Sequence, residues 1–390
     1  MFRRAVRLLI PPVLALLLLA ALVAGLEYWL QGHAAGVTVV AANTDLTLQP
    51  LLESSAVCHH QLRPETRLRL PLTDSGFISL RVNSAGLRGP ELSADPERPW
   101  RILLLGDDTV FGASLSERQT LAGQLQQLIE SRTAAPVEVL NGGVPGDCPL
   151  LTSLRFPDLQ QLQPQLVILH FDMSDVDDDL TCRSLLADSD ARPVCIHPSL
   201  RSAAPGPPLP LPDWLQQSAL FQHAFAAVRN DVPPLLSITS QAAGQQQFTW
   251  IADHPENRRL ETDHALQPVA QLRNAVEAAG AKFLVTTCPV VWQLVDGRRI
   301  PELTRRCRIR GATPCASREP FLAIAEFCAQ ERIRLVDASG SFRSQTEPLD
   351  LFSRSAPVPS SKGITLYAEA IADYLFANPP GSWENSKTTR

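Results

Sequence analysis

Methionine and tyrosine are scarce, 2 and 3 residues in a chain of 390, and only 19% of positions carry charge. A basic excess is missing: 35 Lys and Arg face 40 Asp and Glu, for a formal net charge of -5. With no cationic surplus to neutralise phosphates, the chain does not read as a nucleic-acid binder. There is no CxxC pair and no His/Cys cluster at ligand spacing, so neither a metal nor another cofactor is expected. What is present is 45% apolar residues and 33 prolines. That composition excludes a disordered chain, a collagen-like fibre and a multi-span transporter. It predicts a core of Leu, Val, Ile and Ala cut by many loops, in one large domain or two smaller ones.

Charge is also absent from Leu8 to Leu26, which reads LLIPPVLALLLLAALVAGL and follows Arg3, Arg4 and Arg7. At about 1.5 Å per residue such a run can cross a hydrocarbon core. Pro11 and Pro12 sit near its start, where a helix tolerates them. Basic residues before the span and few after it put the N-terminus in the cytoplasm and the rest outside. A signal peptide cleaved near Val23-Ala24-Gly25 is the other reading, and both export the body of the chain. Residues 1–30 are therefore expected to be a cytoplasmic stub and transmembrane anchor, or a signal peptide. Eight cysteines agree with export, where an even count favours disulfides. Cys182–Cys195 and Cys307–Cys315 are the short-loop candidates. His59-His60 beside Cys58 reads as a solvated loop rather than a ligand set.

Residues 31–100 look irregular, with short strand-like pieces such as Phe77–Val82. Regular alternation starts at Arg101. Apolar runs Ile102–Leu105, Val137–Leu140, Leu166–Phe171, Phe283–Thr287 and Ile333–Asp337 read as buried strands. Helical spacing marks Thr120–Ile129, Ala265–Ala279, Pro320–Gln330 and Lys362–Leu375. This alternation predicts an α/β fold: a three-layer α/β/α domain over 101–376 with a central parallel sheet of about five strands. The transmembrane helix precedes it and a flexible tail, 377–390, follows. Residues 180–264 form a long insertion with the Pro-rich stretch Ala203–Pro212 and a helix near Trp214–Val228, expected to act as a cap or side lobe. Ligands of such sheets bind beyond the carboxyl ends of the strands, so the residues there are the candidates.

After the first strand stands Gly106-Asp107-Asp108-Thr109-Val110-Phe111-Gly112; after the second, Asn141-Gly142-Gly143-Val144-Pro145-Gly146; after the third, Asp172-Met173-Ser174-Asp175. Upstream lies Asn83-Ser84-Ala85-Gly86-Leu87-Arg88-Gly89-Pro90-Glu91. In this order and spacing the segments resemble the SGNH (GDSL-type) hydrolase family in its membrane-anchored bacterial form, over 76–376. The resemblance implies an SGNH/flavodoxin-like sheet and ester or acyl-group chemistry. It also implies a Ser nucleophile in the first turn, an Asp and a His near the C-terminus, and oxyanion donors from a Gly in the second turn and an Asn in the third.

The chain departs from that pattern at nearly every position. Asp108 stands at the place of the nucleophile and Ser174 at that of the Asn. Counting back from Gly363, Ser355 falls at the Asp position and Val358 at the His position, and no His follows His264. Gly143 matches the oxyanion glycine. A carboxylate at Asp108 opposes the charge that must develop in an oxyanion hole, and losing such donors alone costs about 10²–10³ in rate. The sequence therefore implies a scaffold stripped of its hydrolytic set, binding a glycan or acylated ligand or serving an envelope protein partner. The alternative is an acyl hydrolase or transferase with an unorthodox set, Asp108 plus His254 or His264 from the insertion.

Asp107, Asp108, Asp172, Asp175 and Asp177–Asp179 gather near strand ends, where a hard cation is one reading. Turn support by Asp107 and a helix start at Asp177–Asp179 are the simpler one. Asp108 is expected to be held by turn amides, including that of Gly143. His170 is expected to be a buried strand residue, and Trp214, Trp250 and Trp292 core packing rather than a sugar platform.

Overall fold

From Leu48 onward the stretch expected to be irregular forms two antiparallel hairpins. They are β1 (Leu52–Ser54) with β2 (His60–Leu62), and β3 (Arg67–Pro71) with β4 (Phe77–Arg81). The structure, a computed structural model, describes residues 48–379 apart from 72–76, 94–98, 134–135, 189–192, 201–258, 308, 310–313 and 316, and these belong to one compact unit. The expected span Leu8–Leu26, the Pro-rich stretch Ala203–Pro212, Trp214, Trp250 and His254 lie outside the described residues. Among the described residues no helix is long and apolar enough to cross a membrane.

The five expected core strands are β5 (Trp100–Leu105), β6 (Val137–Asn141), β7 (Leu166–His170), β10 (Lys282–Thr287) and β11 (Arg334–Asp337). They pair in parallel in the order β11-β10-β7-β5-β6. Between β7 and β10 in the chain lies a small antiparallel hairpin, β8 (Leu186–Asp188) with β9 (Pro193–Cys195). Read from β5, the order is 2-1-3-4-5, the doubly wound arrangement in which crossovers leave the first strand in opposite directions. Every residue of β7 is buried, and Ile102 through Leu105 of β5 are fully so. Runs without alternation have this destiny, because helices cover both faces of a parallel sheet.

Among the described residues the α-helices are, in chain order, α1 (Asp108–Phe111), α2 (Leu121–Arg132), α3 (Pro149–Leu159), α4 (Asp175–Arg183), α5 (Arg259–Ala278), α6 (Pro301–Arg306), α7 (Glu319–Gln330), α8 (Ser339–Arg343) and α9 (Ser361–Ala377). Thr120 caps α2 by accepting from Gly123 N, and Ser360 caps α9 by accepting from Gly363 N. Helix α2 buries Leu121, Ala122, Leu125 and Ile129, and α9 buries Ile364, Tyr367, Ala368, Ile371 and Leu375. These stripes at helical spacing make α2 and α9 pack on each other, while α3 packs on α5 and α5 on α4. Each fully buried Leu, Ile or Val contributes about 1.5–3 kcal/mol.

Two boundaries differ from expectation. Helix α5 begins at Arg259, inside the expected insertion, and α4 with the β8–β9 hairpin occupies its first part. The third strand stops at His170, one residue short of the expected Phe171, whose N–H still donates to Thr286 O.

Candidate functional site

The parallel register ends the strands together: Leu105 stands beside Leu169, His170 beside Thr286, and Thr287 beside Asp337. The turns after β5 and β7 thus meet at the switch point of the sheet, where doubly wound folds bind ligands. Gly106 makes the first turn possible. Its φ is +147°, and a Cβ there would lie 2.9 Å from Val110 Cγ2 and 3.1 Å from His170 Cβ. Asp107 then caps α1 by accepting from Thr109 N at 3.2 Å.

The upstream Asn83–Glu91 segment holds this turn from outside. Asn83 Oδ1 accepts from Ala85 N and Leu87 N while its Nδ2 donates to Pro90 O. That loop delivers buried Arg88 to the carbonyls of Phe111, Gly112 and Leu115 at the end of α1. Burial lowers the Arg88 pKa to about 10.

The second turn is equally committed. Asn141 donates from Nδ2 to Val110 O at 2.9 Å and accepts from Gly143 N at 3.1 Å. The expected contact from Gly143 N–H to Asp108 is thus replaced by an Asn141 contact, and the candidate oxyanion donor is already bonded. Gly143 is needed for a different reason: a Cβ there would meet Phe111 N at 2.4 Å and Val110 C at 2.8 Å. Behind it, Asp147 Oδ2 accepts from Arg155 Nη2 at 2.7 Å and from Thr152 Oγ1 at 2.9 Å, and Arg155 also donates to Gly142 O. Burial pushes the Asp147 carboxyl up more than Arg155 pulls it down. His60, expected in a solvated loop, is instead buried and donates from Nε2 to Pro145 O at 2.8 Å, which ties the first hairpin to this turn.

The third turn carries the titratable cluster. Ser174 donates from both N and Oγ to Asp172 Oδ1 at 2.6 Å, with Asp107 Oδ2 3.3 Å from the same hydroxyl. Asp175 Oδ2 accepts from Asp172 N at 2.7 Å. The Ser at the Asn position is therefore a bridge between two carboxylates. Burial first, then the neighbouring negative charges, raises Asp107, Asp175 and Asp178 well above the ordinary carboxylate range. Asp177–Asp179 lie within α4, and Asp179 pairs with Arg183 at 2.9 Å.

His170 is buried as expected from its strand, but its ring faces this cluster. Thr286 Oγ1 donates to Leu169 O, Tyr367 OH donates to Thr286 Oγ1 at 2.6 Å, and His170 Nδ1 lies 2.8 Å from Tyr367 OH. Nδ1 is therefore engaged by the phenol, and Nε2 is the ring nitrogen left to face the cluster. Nε2 is buried without a hydrogen-bond partner and lies 4.0 Å from Asp172 Oδ2. Desolvation lowers the His170 pKa, and the charge of Asp172 offsets part of that. Neither Tyr367 nor Thr286 is marked by any sequence motif.

The final segment supplies no base. Ser355 is exposed and Arg306 donates to its carbonyl; Val358 is buried and its carbonyl accepts from Ser353 N at 2.9 Å. Trp292 is buried and donates from Nε1 to Thr304 Oγ1 at 3.0 Å, a core role. Neither expected pair forms a disulfide among the described residues. Cys182 interacts with both Cys148 and Cys195, so chain spacing alone could not pick its partner. A cavity of about 530 Å³ lies along edge strand β6, lined by Leu87, Arg88, Glu91, Gln126, Glu138 and Asn141, and it includes neither Asp107 nor Asp172.

No family model matches the chain and no curated protein does. Solved structures do. A lipase/acylhydrolase from Enterococcus faecalis shares 13% identity over 71% of this chain and 96% of its own, with a TM-score of 0.40. The psychrotrophic esterase EstA from Pseudoalteromonas shares 11% over 73% and 99%, with a TM-score of 0.38. A catalytic mutant of an acetylxylan esterase from Geobacillus stearothermophilus shares 13% over 70% and 92%, with a TM-score of 0.36. These are likenesses of fold, and no activity or residue role comes with them.

Proposed function

We propose that this chain is an exported, single-pass bacterial inner-membrane protein whose SGNH hydrolase-like domain lacks a hydrolytic set and binds a glycan, an acylated ligand or an envelope protein. The observation that carries this reading is how the strand-end groups are spent. Asp108 occupies the nucleophile position, the Ser174 hydroxyl is bonded to Asp172, and the Gly143 amide is bonded to Asn141. No imidazole follows His264 in the sequence. A missing nucleophile and base act as a unit, so their loss is not made good by the remaining frame. The membrane tether is supported by Arg3, Arg4 and Arg7 ahead of the uncharged run Leu8–Leu26. The test is turnover of aryl acetate esters by the full chain and by Asp108→Asn. Equal, background rates are expected. Turnover that Asp108→Asn abolishes contradicts the proposal.

One contact favours the alternative of an acyl-ester hydrolase or O-acyltransferase with an unorthodox set. His197 Nδ1 lies 2.7 Å from Ser199 Oγ, and Ser199 Oγ lies 3.0 Å from Ser54 Oγ. The same nitrogen accepts from Ser199 N at 3.1 Å, which is the pattern of a local turn rather than of a free base. Ester turnover that Ser199→Ala abolishes would establish this alternative.

A further inference from the structure

Three buried side chains from two strand ends converge at the switch point of the sheet. Asp107 follows β5, His170 closes β7 and Asp172 follows it, and one ligand atom from each lies within 4.8 Å of the others. All three residues are at most 5% exposed. We propose that Asp107, His170 and Asp172 form a binding site for one divalent cation of the zinc class.

Two independent features point there. The first is charge. Asp107 and Asp172 are buried on either side of the Ser174 hydroxyl, and among the described residues no Lys or Arg is paired with either. Buried charges in proteins are as a rule paired with an opposite charge or coordinated to a metal. The second is the imidazole. Nδ1 is engaged by the Tyr367 hydroxyl, which in turn bonds Thr286, so Nε2 is the ring nitrogen left facing the carboxylates without a partner. A buried polar atom without a partner is costly. At 4.0 Å from Asp172 Oδ2, Nε2 is too far for a direct hydrogen bond, and a side-chain approach of about 0.7 Å brings the two atoms to the spacing of neighbouring ligands on a tetrahedral zinc.

Proton sharing between carboxyls relieves the repulsion and leaves Nε2 unbonded. A bridging water satisfies Nε2 and brings no positive charge. A cation does both. One imidazole with two carboxylates suits zinc, whereas calcium and magnesium favour oxygen alone. The Tyr367 hydroxyl is then the outer partner that orients a ligating histidine through its second nitrogen. Whether the chain hydrolyses esters does not bear on this site.

The full chain, purified in detergent without a polyhistidine tag, is dialysed against chelator and titrated with zinc chloride, with magnesium and calcium chlorides alongside. Zinc is expected to bind at one equivalent, and Asp172→Asn and His170→Gln to lose it while keeping the wild-type circular dichroism. His60→Gln and Cys182→Ser should retain it. Tyr367→Phe should weaken binding by about 10–100-fold. If the ligand variants fail to fold, X-ray absorption of the zinc-loaded wild type decides, because it should show imidazole and oxygen neighbours and no sulfur. Absence of stoichiometric zinc, zinc retained by Asp172→Asn and His170→Gln, or a sulfur-ligated ion overturns the proposal.

Discussion

Lowering the pH from 7 to 5 should loosen the tie between the first hairpin and the second strand-end turn, and His60 sets the size of the effect. Its imidazole is buried and donates to Pro145 O, and burial lowers its pKa from 6.5 to about 4, with the charges of Arg155 and His197 pushing the same way. The folded state therefore refuses a proton that the unfolded chain accepts. Stability from this group is complete above about pH 6.5 and is lost as pH falls from there toward 4. A tenfold change in proton affinity is worth about 1.4 kcal/mol, so between pH 7 and pH 5 the loss is about 2 kcal/mol. Asp107, Asp175 and Asp178 act with the opposite sign, because burial raises them and their contribution is lost as pH rises. The raw curve mixes both, so the measurement is a difference. Urea unfolding of the wild type and of His60→Gln, each at pH 7 and pH 5, isolates the imidazole. The wild type should lose about 2 kcal/mol more than the variant over that interval. Equal losses in the two proteins would falsify the burial of a neutral His60.

Further outcomes are specific to the strand-end frame. Asp108→Ser alone should show no esterase turnover with aryl acetates, because Val358 cannot accept a proton; turnover would mean the final segment is misplaced. Gly143→Ala should cost about 1–3 kcal/mol in a thermal melt, since its Cβ meets the backbone of Phe111 and Val110. An unchanged melting temperature would refute that close approach. Arg155→Leu should cost about 3–5 kcal/mol by leaving Asp147 buried without its partner. Joint replacement of Asp147 and Arg155 by apolar residues should cost less than Arg155→Leu, and equal losses would show that the pair is not coupled.

The five parallel strands and the helices between them are legible because each is a long apolar run or a helical stripe. Of the hairpins before residue 82 only β4 is, as the strand-like piece Phe77–Val82. Strand β3 alternates exposed and half-buried residues, so its sequence carries little burial signal. The strand-end turns are likewise visible as Gly-rich segments after β5 and β6, but what their groups bond to is not. The capture of Gly143 N by Asn141 was open to inference, since an Asn two residues before a Gly is an Asx-type signal. The environment of His170 was not, because its partner Tyr367 lies 197 positions away and the Ser174–Asp107 contact spans 67. The parallel register of the strands and the packing of α9 bring those residues together.

The proposed lack of an activated nucleophile is tested most directly by exposing the full chain to a serine-reactive fluorophosphonate and weighing the intact protein. No covalent adduct is expected: among the described residues the Ser174 hydroxyl at the switch point is bonded to carboxylates, and the His170 imidazole there bonds Tyr367 instead. A stoichiometric adduct on any serine, located by peptide mapping, contradicts the binding-scaffold reading.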